Sequence, residues 1–353
     1  MMSTVGVAIT ALVLADVLTN VLRPLALRRG LTDRPDLHKK AHARPTPYLG
    51  GIAIAVATLV PASALVPHWD EHIGVVIVAS AAMALLGLVD DIKPLNPSSR
   101  LLAEGLAATA VVLSGGHIIV FGGWLDPVLT VLWIVVLTNS FNLLDNMDGA
   151  ASTVALVTAG FLAGAAYLAG QAGFMLLLLA LSAGCVGFLI HNWAPARIFM
   201  GDAGSLFIGF VISATSVQVN VPGGPVARIA ELLLVTFVAT VDTSLVLISR
   251  HRAGRSLFTG GTDHVSHRLN RLGWSVSRVT LMLFAATAAS CLCGVLVAQQ
   301  RLPGIGTLAG AVTIAVTLIW LLLKLPAYVI ANESGDIPPA ANSAMSIPSK
   351  HGD

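Results

Sequence analysis

The sequence predicts an all-α, polytopic integral membrane protein. Three observations carry that prediction. The chain of 353 residues is 56% hydrophobic and only 11% charged, and its mean hydropathy of +0.83 excludes an ordinary soluble globule. The apolar residues come in blocks of about 16–22, each roughly enough for a helix across ~30 Å of hydrocarbon. The basic residues are confined to alternate connections between those blocks, as expected of cytoplasmic loops.

Eleven apolar runs are expected to span, centred near 3–22, 50–66, 73–89, 101–114, 127–143, 151–169, 173–191, 205–221, 229–249, 276–298 and 305–325. No basic residue precedes the first run and no small-residue cleavage site ends it, so it suits an anchor rather than a removable signal peptide. The run at 101–114 is short and contains Glu104. After it, Gly115, Gly116, Gly122 and Gly123 flank a short apolar stretch that suits a surface hairpin. Of the twenty Lys and Arg, only Arg228 and Arg301 fall on the side opposite to the rest. That bias places the N-terminus outside and the C-terminus in the cytoplasm. Cys185, Cys291 and Cys293 lie within expected helices and suit apolar packing rather than metal or disulfide use. There is no internal repeat of the kind that builds transporters from inverted halves. The tail after Tyr328 is rich in Ser, Pro and Asn, which divides the chain into a transmembrane domain, 1–327, and a disordered cytoplasmic tail, 328–353.

With this topology the unusual polar residues gather at the cytoplasmic ends of helices. The first loop carries Lys40, His42 and Arg44. The second reads Asp90-Asp91-Ile92-Lys93-Pro94, with Arg100 opening the next helix. The third contains Asn142, Asp145 and Asp148, whose spacing of three places them on one face of a helix end. The fourth runs from Asn192 through Phe199-Met200-Gly201-Asp202-Ala203-Gly204-Ser205. The fifth reads Asp263-His264-Val265-Ser266-His267-Arg268. Taken singly, each loop also suits an interfacial anchor or a solvated turn; five on one side together do not. A carboxylate pair at a membrane boundary is expensive unless a cation sits against it. Carboxylates with an amide oxygen are hard ligands, suited to Mg²⁺ or Mn²⁺ rather than zinc. Arg, Lys and His around such an ion suit phosphate or pyrophosphate. Gly201 and Gly204 allow close backbone approach, Ser205 suits a cap on the helix that follows, and that helix N-terminus would favour an anion. No Walker loop, kinase signature or Rossmann glycine pattern is present.

The five motifs, in this order, resemble those of the polyprenyl-phosphate N-acetylhexosamine-1-phosphate transferases, the glycosyltransferase family 4 enzymes that include MraY, WecA and TagO. The resemblance covers about residues 1–325. It implies a membrane enzyme of ten or eleven spans with a cytoplasmic cleft. There a sugar-1-phosphate passes from a UDP-N-acetylhexosamine to a polyprenyl phosphate (undecaprenyl or decaprenyl) and UMP is released. It implies that Asp90 and Asp91 are the catalytic pair, one of them handling the lipid phosphate, and that Asp202 binds Mg²⁺ (Mn²⁺ is also suited) with Asn142. Asp145, Asp148, Asn192 and Phe199 match uridine-binding positions, with Phe199 as the stacking ring. Arg100 stands where relatives usually carry Lys. Lys40, His42 and Arg44 match the basic first-loop motif, and Asp242 with Arg250 a ninth-helix motif. His264, His267 and Arg268 match the pyrophosphate-binding histidine loop, in which Ser266 replaces a middle histidine. That departure favours a WecA- or TagO-like N-acetylhexosamine donor, GlcNAc foremost, over the MurNAc-pentapeptide nucleotide of MraY.

The implied mechanism is attack of the lipid phosphate, activated by Asp90, on the β-phosphorus, with an aspartyl-phosphate route as the alternative. The expected setting is a bacterial plasma membrane, and the expected product the first lipid-linked intermediate of a cell-envelope glycan. The bilayer is a partner, nucleic acid is not, and a homodimer is left open. The rivals are a phospho-MurNAc-pentapeptide transferase and, in another class, a secondary transporter. A transporter should carry its charges near the midplane, whereas here Asp16, Glu104 and Asp242 are the few within apolar runs.

Overall fold

A computed structural model describes residues 2–33, 46–65, 71–219, 224–257 and 260–325, and within them the chain is almost wholly helical. The helices are α1 (Met2–Arg29), α2 (Gly50–Leu65), α3 (Glu71–Ile92), α4 (Pro97–Leu113), α5 (Leu125–Leu144), α6 (Ala150–Leu168), α7 (Ala172–Asn192) and α8 (Gly201–Gln218). They continue with α9 (Pro225–Val235), α10 (Phe237–Arg252), the short α11 (Val265–Arg271), α12 (Val276–Ala298) and α13 (Gly304–Leu323). Each apolar run of the sequence is therefore helical. Seven helices are long and apolar enough to cross a membrane, eight if α9 and α10 are taken as one bent span. The molecule is an all-α, membrane-integral bundle. Lys40, His42, Arg44 and the tail at 328–353 lie outside the described residues.

Two expectations are corrected. The run at 229–249 is not one straight helix: it breaks at Thr236, and α9 and α10 meet at 75°. At the break the Val235 carbonyl accepts the Thr158 hydroxyl and the Cys291 thiol, and Thr236 Oγ1 donates to the Leu232 carbonyl. The glycine-flanked stretch at 115–125 is no hairpin. It is an irregular loop whose Phe121 and Gly122 amides donate to the Asp126 carboxylate at 2.9 and 2.8 Å, so a side chain replaces strand pairing. The described strands are two residues each, β1 (Thr32–Asp33) and β2 (Thr46–Pro47), paired antiparallel.

Helix α8 forms the axis of the bundle, with every residue from Ala203 to Gln218 buried. Its sequence permits that. Glycines let neighbours approach at backbone distance: a Cβ on Gly51 of α2 would collide with the Gly204 backbone, and one on Gly87 of α3 with that of Asp202. Its buried hydroxyls bond back to their own helix, Thr215 to Val211 and Ser213 to Phe210. At the opposite extreme, α13 buries none of its side chains, as suits a lipid-facing helix. Alternating helix directions bring the α1–α2, α3–α4, α5–α6, α7–α8 and α10–α12 connections to one end of the bundle. The polar motifs lie there.

Candidate active site

The site is built around the first turn of α8. Gly201 takes a left-handed conformation, φ +69°, to turn the chain into the helix. The first-turn amides of Asp202 and Ala203 then donate to the two oxygens of Asp91, at 2.9 and 3.0 Å. The anion expected at this helix N-terminus is thus supplied internally, by the last turn of α3. Ser205 is not the cap: the helix begins earlier, and the Ser205 hydroxyl instead accepts from Asn142 Nδ2 at 2.9 Å. The same nitrogen donates to Asp202 Oδ1 at 2.7 Å. Asp202 Oδ2 faces Arg100, 3.7 Å from Nη1.

The two adjacent aspartates therefore differ. Asp91 holds α8. Asp90 accepts the Leu95 amide at 2.6 Å and pairs with Arg100 at 3.1 Å. Arg100 sits in the first turn of α4, whose N-cap Asn96 accepts the Ser98 amide and whose Pro97 opens the helix. Its guanidinium also donates to Asn139 Oδ1 at 3.2 Å and lies 3.5 Å from Glu104, a fully buried carboxylate one turn further along α4. Neither Glu104 nor Asn139 was among the residues expected at the site. The signal was there, since Arg100 and Glu104 are four apart and share a helix face.

Helix α5 ends at Leu144, so Asn142, Asp145 and Asp148 do not share one continuous helical face as expected. Asp145 is the C-cap and Asp148 lies in the turn leading to α6. Asp145 is half-buried; burial first, then the charges of Asp202, Asp91 and Asp148, push its carboxyl up to about 8. Asp148 is buried and accepts the Ala196 amide at 2.9 Å. Asn192, also buried, accepts from the Gly149 amide and the Ser152 hydroxyl and donates to the Ile198 carbonyl. Both side chains fasten the loop before α6 to the loop before α8, a placement that favours positioning over direct ligand contact. Phe199 is half-buried, and its backbone bonds to Pro47 and Gly50, joining the first-loop segment to the site.

The fifth motif docks on the third. The Ser266 hydroxyl, at the position expected to lack an imidazole, donates to the Asn146 side-chain oxygen, whose amide nitrogen is in turn fixed by the Leu143 carbonyl. His264 caps α11; its Nδ1 lies 2.8 Å from Asp242 Oδ2, and Asp242 Oδ1 accepts the Val265 amide at 2.8 Å. A carboxylate on Nδ1 fixes the tautomer and turns Nε2 the other way. The His267 ring is 6.1 Å from that of His264. Burial, then His264 and Arg271, push His267 down to about 4, so it is neutral at pH 7. Arg268 is corrected. It is buried, and its guanidinium donates to the carbonyls of Asp263, Leu322 and Leu325 and to the Ser249 hydroxyl, tying α11 to the end of α13 rather than facing a pyrophosphate. Arg250 is likewise internal, paired with Asp263 at 2.9 Å.

The motifs with described residues are thus linked one to another at a single end of the bundle. Carboxylates, a guanidinium and imidazoles are combined there, an arrangement able to hold phosphate groups and accept a proton. Among the described residues no group of three or more His, Cys, Asp or Glu is placed to hold a metal ion by itself.

Comparison with known proteins agrees with this chemistry. Residues 73–220, from near the start of α3 through α8 and including the α8 turn, match the model of glycosyl transferase family 4. A Streptomyces coelicolor protein whose name says glycosyltransferase and no more is 37% identical over 84% of this chain and 71% of its own length. A Mycolicibacterium smegmatis decaprenyl-phosphate N-acetylglucosaminephosphotransferase is 31% identical, over 79% of this chain and 78% of its own. A Moorella thermoacetica phospho-N-acetylmuramoyl-pentapeptide-transferase is 32% identical, over 81% and 97%. With relatives above 30% identity matched over 71–97% of their own length, and the motifs joined at one site, the chain belongs to glycosyl transferase family 4.

Proposed function

We propose that the protein transfers N-acetylhexosamine-1-phosphate, GlcNAc-1-phosphate foremost, from its UDP donor to undecaprenyl or decaprenyl phosphate. The observation that carries this reading is the meeting of Asp90, Arg100 and Asp202 at the N-terminus of α8, beside Asp145 and within one connected set of loops. A lipid-phosphate oxygen would attack the β-phosphorus of the donor, forming the new P–O bond as the bond to UMP breaks. Arg100 would hold the incoming phosphate and Asp90 would take its proton. His264 and His267 would bind the pyrophosphate, and Phe199 would stack on the uracil.

The donor set suits Mg²⁺, which needs only one or two protein carboxylates beside substrate phosphates and water. When bound it would neutralise pyrophosphate charge. Asp202 would hold it, and Asn142 would join only with its amide turned, since the nitrogen now faces Asp202. The topology in this reading has eleven crossings, the site facing the cytoplasm of a bacterial plasma membrane. The Mycolicibacterium relative supports the GlcNAc donor. The Moorella relative supports the second reading, a MurNAc-pentapeptide donor, against which stands Ser266 in place of a middle histidine.

The test is UMP release by purified protein supplied with polyprenyl phosphate, Mg²⁺ and a panel of UDP-sugars, beside Asp202→Ala. UMP that requires lipid, metal and Asp202 supports the proposal. Release from the MurNAc-pentapeptide nucleotide alone would overturn the choice of sugar. No release from any donor by folded protein would return the transporter reading.

A further inference from the structure

We infer that Glu104 is a positioning residue for the transfer, acting from inside the bundle through Arg100; the inference rests on the proposed function. The guanidinium of Arg100 presents two edges. Its Nη1 points outward, 3.1 Å from Asp90 and 3.7 Å from Asp202. Its Nε and Nη2 point inward, Nε 3.5 Å from Glu104 Oε1 and Nη2 3.2 Å from Asn139 Oδ1. Asn139 closes the ring by donating its amide nitrogen to Glu104 Oε2 and to the Val135 carbonyl at 3.0 Å. Glu104 has no exposed surface and Arg100 keeps 20% of its side chain exposed, so Glu104 acts from inside while Nη1 meets Asp90 and Asp202.

A carboxylate buried in an apolar helix is costly, and here it lies against the Arg100 cation and accepts from Asn139. Nη2 is fixed by its hydrogen bond to Asn139, and Nε is drawn to the Glu104 charge in an ion pair without a hydrogen bond; a planar guanidinium so placed has a direction that a flexible ammonium would lack. Glu104 therefore sets where Arg100 meets Asp90, Asp202 and an arriving phosphate.

The experiment compares wild type, Glu104→Gln, Arg100→Ala and the double variant, by UMP release and by thermal unfolding in detergent. Glu104→Gln should lower kcat about tenfold or more, with KM for the UDP-sugar within about twofold, because misdirecting one phosphate-facing group mainly affects the transition state. In the Arg100→Ala background the same change should alter kcat by no more than about twofold, since the residue through which it acts is gone. Arg100→Ala leaves the buried carboxylate without its cation, so the double variant should unfold at a higher temperature than Arg100→Ala alone. Losses in kcat that multiply, or a double variant no more stable than Arg100→Ala, would overturn the inference. If wild type releases no UMP at all, the functional reading falls, and the unfolding comparison still decides whether Glu104 and Arg100 are coupled.

Discussion

Replacing Asp91 should remove the clamp on α8, and the structure sets the size of the loss. The carboxylate accepts two backbone amides at the helix N-terminus. Hydrogen bonds to a charged group contribute about 1.5–3 kcal/mol each, and a negative charge at a helix N-terminus adds roughly 0.3–1 kcal/mol. Allowing for partial rehydration of the freed amides, Asp91→Ala should cost about 3–5 kcal/mol, on the order of 10 °C in unfolding temperature. Asp202 donates one of those two amides, so activity should fall with stability. Asp90→Asn keeps an oxygen for the Leu95 amide and loses the ion pair with Arg100, whose charge Asp202 and Glu104 still offset. It should cost about 1 kcal/mol while still abolishing turnover. Thermal unfolding in detergent, followed by tryptophan fluorescence beside UMP release, separates the two. An Asp91→Ala protein that unfolds with wild type yet is inactive would refute the division of labour between the aspartates.

Three further outcomes follow from the packing and charges. Gly204→Ala places a Cβ 2.7 Å from the Gly51 Cα, backbone against backbone; it should cost about 1–3 kcal/mol or more and lower expression. Arg268→Ala should destabilise by about 3–5 kcal/mol by stripping donors from buried carbonyls and emptying its site. Its main effect should be lost folded protein, with the KM for UDP-sugar unchanged in the fraction that remains. His267 has a folded pKa of about 4 against an ordinary 6.5. The folded state therefore favours the neutral ring: this contribution is complete above pH 6.5 and is lost as pH falls towards 4. His267→Asn should unfold with a shallower acid limb than wild type over that window, and an unchanged limb would contradict the assignment.

Much of the fold was legible because each apolar run is long and bounded by loops whose basic residues alternate in side. Period and length sufficed for the helices. They did not give the break at Thr236, which depends on Thr158 and Cys291 meeting the Val235 carbonyl from distant helices. The residue types of the site were legible too, since five polar loops on one side of an apolar chain need a chemical reason. Their individual roles were not. Sequence treats Asp90 and Asp91 alike, yet a step of one residue on α3 turns one towards Arg100 and the other towards the α8 amides. His267 and Arg268 are neighbours, but one stands beside His264 and the other reaches the end of α13. Ser266 looked like a loss in one dimension; in three it holds Asn146. Such assignments rest on which partners the fold brings near, information that residue order alone does not hold.

The most direct test of the account uses donor carrying ³²P at the β-position and ³H in the sugar, incubated with the protein, polyprenyl phosphate and Mg²⁺. Transfer of a sugar-1-phosphate predicts both labels in the extracted lipid in equal amounts, with unlabelled UMP left in the water. Lipid that gains ³H while ³²P stays in the aqueous phase as UDP would mean simple glycosyl transfer and would contradict the central claim.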